Sequence, residues 1–137
     1  MTISLSDAGK RFNRDWIFRH FNYTFESGQS YAITGPNGSG KSTLLQVLSG
    51  GMYINEGSLV FSAGSSGSDE KKSTPILPEN IYQQVSICAP YLEVVEEMTA
   101  TEFLDFHQAF KPFLPGTTTA AVIAAVGLEK EIGRAHV

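Results

Sequence analysis

Ile3 and Leu5 alternate with Ser4 and Ser6, and Phe21, Tyr23 and Phe25 alternate with Asn22 and Thr24. Alternation with period two places the apolar side chains on one face of a half-buried strand, so the spacing predicts two early strands, paired antiparallel. Gly28-Gln29 marks a turn. Tyr31-Ala32-Ile33 then forms a short unbroken apolar run ending in a glycine-rich loop, the pattern expected of a buried central strand in an α/β sheet. Leu44, Leu45, Val47 and Leu48 follow as the apolar stripe of a helix that stops at Gly50-Gly51.

Further on, residues 57–63 read as another strand, and residues 63–80, rich in Gly, Ser, Lys, Asp and Pro, read as a loop or insertion. Ile81, Val85 and Ile87 predict a strand over 81–88. Thr99-Ala-Thr-Glu102 fits a capping box, in which hydroxyl and carboxylate satisfy helix N-terminal amides, and Phe103, Leu104, Phe106 and Phe110 supply the helix's apolar face. A last helix is expected over 117–126, ended by Gly127. There is no internal repeat.

Composition narrows the function classes. Hydrophobic residues make up 42% and charged residues 18%, enough apolar side chains for a core, and Lys+Arg 10 against Asp+Glu 14 gives a net charge of −4, with no basic field for nucleic acid. The longest apolar stretch, residues 120–128, falls short of the roughly 20 residues of a spanning helix, and the first residues lack a signal-segment pattern, so synthesis in the cytosol is expected. Cys88 stands alone, which excludes an intramolecular disulfide or a cysteine-rich zinc site; in an apolar strand it is expected to be a small buried residue. The three histidines lack ligand spacing. His107 reads as a structural helix residue, and His20 as a strand residue without a catalytic neighbour.

The chemistry lies in Gly35-Pro36-Asn37-Gly38-Ser39-Gly40-Lys41-Ser42-Thr43, which satisfies G-x-x-x-x-G-K-[ST] between a predicted strand and a predicted helix. Glycines let the backbone curl and approach an anion closely, so that successive amides point at phosphate oxygens, and the positive helix end adds to the attraction. Lys41 is expected to reach the β and γ phosphates and is the candidate catalytic residue. The Ser42 hydroxyl is expected to ligate Mg²⁺, and Thr43 to assist near the α phosphate. Binding of a nucleoside triphosphate follows; the reaction type does not.

Small-molecule kinases usually carry this loop on their first strand, whereas here two strand patterns precede it. The stretches Ile3-Ser-Leu-Ser-Asp-Ala-Gly-Lys-Arg-Phe12, Tyr23-Thr-Phe-Glu-Ser-Gly-Gln29, Gly35-Pro-Asn-Gly-Ser-Gly-Lys-Ser-Thr-Leu-Leu45 and Glu56-Gly-Ser58 together resemble the ATP-binding subunit of an ABC transporter. The resemblance spans residues 2–130 and implies an α/β P-loop NTPase fold of the ABC type: N-terminal antiparallel strands, the Walker A strand, loop and helix, and the start of a helical subdomain. It also implies that Phe12, at the end of the first strand, stacks on adenine; Trp16 is the alternative for that role. The family's glutamine before the helical subdomain aligns with Pro90, which has no amide to offer a metal, and Gln83 and Gln84 lie at the far end of the same predicted strand. Glu93, Glu96 and Glu97 fall where relatives meet the membrane subunit, as a docking surface or as a solvated acidic face.

The family's signature loop, catalytic glutamate and switch histidine belong after residue 130. The last seven residues, Glu131-Ile-Gly-Arg-Ala-His-Val137, match one reading frame of a widely used sequencing-library adapter, so residues 131–137 are expected to be an artefact and the natural protein to continue. The resemblance thus implies an N-terminal fragment of an ATPase with ATP and Mg²⁺ as ligands. Its implied partners are a second ATPase subunit, identical or not, and a transmembrane permease subunit, at the cytoplasmic face of the membrane. The fragment alone is not expected to hydrolyse ATP at a useful rate. The rival reading is a soluble ABC ATPase of translation or DNA repair; a small-metabolite kinase would need a lid and substrate pocket instead.

Overall fold

Strand β1 (Thr2–Phe12) lies between β2 (Asp15–Glu26) and β3 (Glu56–Ala63) and pairs antiparallel with both; the short β4 (Thr74–Pro75) adds to β3, giving the order β2-β1-β3-β4. This computed structural model describes residues 1–64, 74–90 and 92–128, and the chain divides into two units, Met1–Ile87 and Cys88–Val137. The expected tail 131–137 and residues 65–73, half of the expected 63–80 insertion, lie outside the described residues.

The first unit is built as the alternation requires. Leu5 and Ala8 of β1 are buried against Leu44 and Val47 of helix α1 (Lys41–Leu48), and Ile3, Phe18, Phe21, Phe25, Ile33 and Leu59 pack around them. On the opposite face of the β1–β2 pair, the Ser4 and Thr24 hydroxyls meet at 3.2 Å. Both early strands run longer than the alternation indicates, because three irregularities interrupt their pairing, between Leu5 and Ala8, Ala8 and Lys10, and Lys10 and Arg11. At these breaks Asp7 and His20 adopt positive φ, 50° and 53°. Their side chains join at 2.7 Å, and Asn22 braces the break by accepting from the Asp7 amide and donating to the His20 carbonyl.

Two predicted strands are corrected. Residues 31–33 are irregular, because no neighbouring strand among the described residues takes up their amides and carbonyls, and an apolar run without a ladder partner does not stand as a strand. Residues 81–88 are not a strand either. Pro78–Gln83 form a 3-10 turn that buries Ile81, the Gln84 amide closes it on the Ile81 carbonyl, and the chain beyond is irregular to residue 89. Pro at the first position of that turn and the local amide bonds win over a weak apolar spacing. Cys88 is accordingly exposed, not buried.

In the second unit, helix α2 (Ala100–Phe110) begins with the predicted capping box: the Thr99 hydroxyl accepts from the Glu102 amide and the Glu102 carboxylate accepts from the Thr99 amide. Helix α3 (Thr119–Ala125) starts two residues later than expected, at the Thr118 cap. Thr119 joins the two helices, donating to Asp105 and accepting from Gln108. Phe103, Leu104, Val122 and Ile123 line an apolar cleft between them.

Candidate nucleotide-binding site

The loop from Gly35 to Gly40 enters α1 through backbone conformations that its glycines supply. Gly38 and Gly40 have φ of 80° and 87°, where a side chain is strained, and the Ser39 amide closes a turn on the Pro36 carbonyl at 3.2 Å. Lys41 turns back over the loop: its Nζ donates to the carbonyls of Gly35 at 2.9 Å and Pro36 at 2.7 Å. The ammonium thus stands at the loop mouth, held by neutral acceptors and not by a carboxylate.

The helix ends differ in a way that matters. Thr99 with Glu102 caps α2, and Thr118 caps α3, so each of those N-termini is satisfied by its own side chains. The α1 N-cap is Gly40, with no side-chain cap bond and no acidic residue in the first turn. A helix start left this way offers its amide donors and its positive dipole end to an anion. A cavity of about 390 Å³ opens at this point, lined by Ile17, Asn37, Gly38, Gly40, Lys41, Ser42 and Thr43. Of the sequence-predicted residues, Asn37, Gly38, Gly40, Lys41, Ser42 and Thr43 are therefore brought together around one space. Gly35 and Pro36 serve through their carbonyls, and Ser39 forms the turn beneath.

Phe12 does not line that cavity. It ends β1, with its ring 45% exposed and the Lys10 ammonium 5.2 Å from the ring centroid. Trp16 is already engaged. The guanidinium groups of Arg19 and Arg11 lie 4.6 and 5.4 Å from its centroid, and its ring edge rests on Gly9, where a Cβ would come within 2.8 Å of Trp16 Cζ3. Of the two candidates for stacking on a base, Phe12 has one cation beside its ring, Lys10, whereas Trp16 has two and also rests on Gly9. Arg19 is itself fixed by a two-bond pair with Glu56, at 2.7 and 2.9 Å. The hydrogen bond from Arg19 holds the Glu56 carboxyl below the usual carboxylate range, and Glu56 raises Arg19 in return.

The remaining candidates are not drawn into this site. His20 pairs with Asp7, and His107 stacks on Phe113 with ring centroids 6.1 Å apart, as a structural helix residue would. Gln83 ends the 3-10 turn and Gln84 caps it, so they do not lie on a strand leading to Pro90. No group of three or more metal-binding side chains occurs among the described residues. Sequence reasoning missed Ile17, which lines the cavity. It sits in β2 at a break of the alternation, and only its place one residue past Trp16 offered a signal.

The sequence model of the ABC transporter family matches residues 18–132. The phosphonates import ATP-binding protein PhnC 2 of Oceanobacillus iheyensis is 33% identical over 105 residues, covering 74% of this chain and 41% of that protein. The cytochrome c biogenesis ATP-binding export protein CcmA of Agrobacterium fabrum is 26% identical over 136 residues, 99% of this chain and 60% of the relative. The energy-coupling factor transporter ATP-binding protein EcfA1 of Thermotoga maritima is 44% identical over 50 residues, 36% of this chain and 19% of the relative. The chain spans from about two fifths to three fifths of the length of the first two of these proteins. With a family match over most of its length and a P-loop in place at the head of α1, the chain belongs to the ABC transporter family.

Proposed function

We propose that residues 2–130 form the N-terminal part of the ATP-binding subunit of an ABC transporter, which in its full-length form couples ATP binding and hydrolysis to transport across a membrane. One observation carries the reading: among the described α-helices α1 is the one whose N-terminus lacks a side-chain cap, and it opens on a cavity with Lys41 at its mouth. That is the arrangement a triphosphate requires. Amides of the loop and of the first turn of α1 bind the phosphate oxygens, Lys41 leaves the Gly35 and Pro36 carbonyls for the β and γ phosphates, and Phe12 stacks on the base.

Mg²⁺ is a hard cation that takes oxygen ligands, and the exposed Ser42 hydroxyl in the cavity wall fits that preference. Ser42 would hold the ion, whose charge offsets that of the phosphate oxygens as the terminal bond breaks. Pro90, where the resemblance places a glutamine, has no side-chain amide to offer such an ion. The resemblance puts the residues that orient the attacking water beyond residue 130.

The relatives' names favour transport over the soluble ATPase reading, since all three describe import, export or transporter proteins. Those names differ in cargo, so the reading stops at transport. No helix among the described residues is long and apolar enough to cross a membrane. A second ATPase subunit and a transmembrane permease are the partners this reading calls for, on the cytoplasmic face. Titration of ATP·Mg²⁺ into the wild-type chain and Lys41→Ala tests the site. Loss of a charge-assisted contact worth about 1.5–3 kcal/mol weakens binding roughly tenfold or more, and an unchanged affinity rejects the phosphate assignment.

A further inference from the structure

The pairing of β1 with β2 slips next to the hairpin tip. Arg11 stands opposite Trp16 and Lys10 opposite Phe18, which leaves Ile17 as an extra residue on β2. A bulge of this kind re-aims one side chain. Here Ile17 points at the P-loop: it lines the cavity, and a Cβ built on Gly40 would collide with Ile17 Cγ2. Ile17 is half-buried, and it rests on Gly40, the N-cap of α1, so one methyl group sits where the phosphate-binding loop meets the hairpin. That hairpin carries Phe12 at the end of its other strand, five positions before Ile17 in the chain.

We propose that Ile17 is a positioning residue that fixes the distance between the base platform and the phosphate cradle. The inference rests on the nucleotide reading above and deepens it. A ligand with a base and a triphosphate gains from both subsites only if their separation is fixed before binding; otherwise part of the stacking gain is lost in ordering the hairpin. The contact is made by Cγ2, an atom that valine retains and alanine lacks, so the side-chain series is sharp. The hairpin's other ties are elsewhere. Lys10 donates to the Tyr53 carbonyl, the Asn55 side chain accepts from the Arg11 amide, and Arg19 binds Glu56. These join it to the β3 side and leave Ile17 as its contact with the loop within the cavity lining.

The experiment compares ATP with inorganic tripolyphosphate by calorimetric titration, both with Mg²⁺, in the wild-type chain, Ile17→Val, Ile17→Ala, Phe12→Ala and the Phe12→Ala/Ile17→Ala double variant. In Ile17→Ala the preference for ATP over tripolyphosphate is expected to fall by about tenfold, within the range of base stacking, while tripolyphosphate affinity holds. Ile17→Val is expected to keep the wild-type preference, and the double variant to lose no more than Phe12→Ala alone, since both changes act on the same gain. A merely structural Ile17 would lower both ligands in parallel, and that result overturns the proposal. So does an unchanged preference in Ile17→Ala, or additive losses in the double variant. A wild-type chain that binds neither ligand rejects the nucleotide reading itself, which sets that failure apart from a failure of Ile17.

Discussion

Replacing Gly40 by alanine puts two separate penalties on one atom. The residue holds φ of 87°, and an L residue in the left-handed region costs about 1–2 kcal/mol. The added Cβ also collides with Ile17 Cγ2, and overpacking of this sort costs about 1–3 kcal/mol. Gly40→Ala is therefore expected to destabilise the first unit by about 2–5 kcal/mol. Ile17→Ala alone loses the packing of a half-buried side chain, about 1–2 kcal/mol, roughly half of what full burial would cost. In the double variant the collision is gone, so only the backbone penalty and the lost packing remain, about 2–4 kcal/mol. The structure thus demands a coupling of about 1–3 kcal/mol, with the pair less damaging than its sum. Trp16, the sole tryptophan of the chain and part of the same hairpin, reports unfolding of this unit by its fluorescence in urea. Additivity within about 0.5 kcal/mol would refute the contact, because independent sites add and touching ones do not.

Three further outcomes follow from the geometry. Phe12→Ala is expected to weaken ATP binding by roughly tenfold and Trp16→Ala by much less, since Trp16 is engaged by Arg11 and Arg19; equal losses in fluorescent-nucleotide titrations would reject the assignment of the base platform. Val47→Ala truncates a fully buried side chain of the core and is expected to cost about 2–3 kcal/mol in urea unfolding, and a loss under about 1 kcal/mol would mean that α1 is not seated as described. Glu56, held below the usual carboxylate range by Arg19, contributes stability that is present above its unfolded value and is lost as pH falls through its folded value. Glu56→Gln should therefore flatten part of the acid limb of a plot of stability against pH, by a small amount because the pair is exposed; coincident limbs in the two proteins would show that the pair contributes nothing.

The sequence was most legible where local chemistry decides the structure. The P-loop, the Thr99 to Glu102 capping box and the Gly50-Gly51 stop each depend on a few neighbouring residues, and each stands where its spacing predicts. The early strands were legible only between their irregularities, because a bulge inserts one residue and inverts the alternation beyond it, which hid residues 15–20 and Ile17 among them. Residues 31–33 carry the composition of a central strand, but a strand is completed by its neighbours and not by its own sequence. Around 81–88 an apolar spacing competed with Pro78 and local amide bonding, and the local terms prevailed. The uncapped start of α1 was legible in part: a glycine before Lys41 signals the loop, yet its meaning emerges only beside two helices that cap themselves.

Asp7 and His20 are non-glycine residues in the left-handed region, locked to one another across a break in the β1–β2 ladder. Few side chains tolerate that backbone, so substitution at either position is steered toward glycine and asparagine, whatever the surrounding sequence does. The break also denies the two strands a continuous register, and a strand that cannot present an unbroken row of amides and carbonyls is a poor template for another chain. At His20 the edge strand β2 therefore offers another chain an interrupted row of amides and carbonyls.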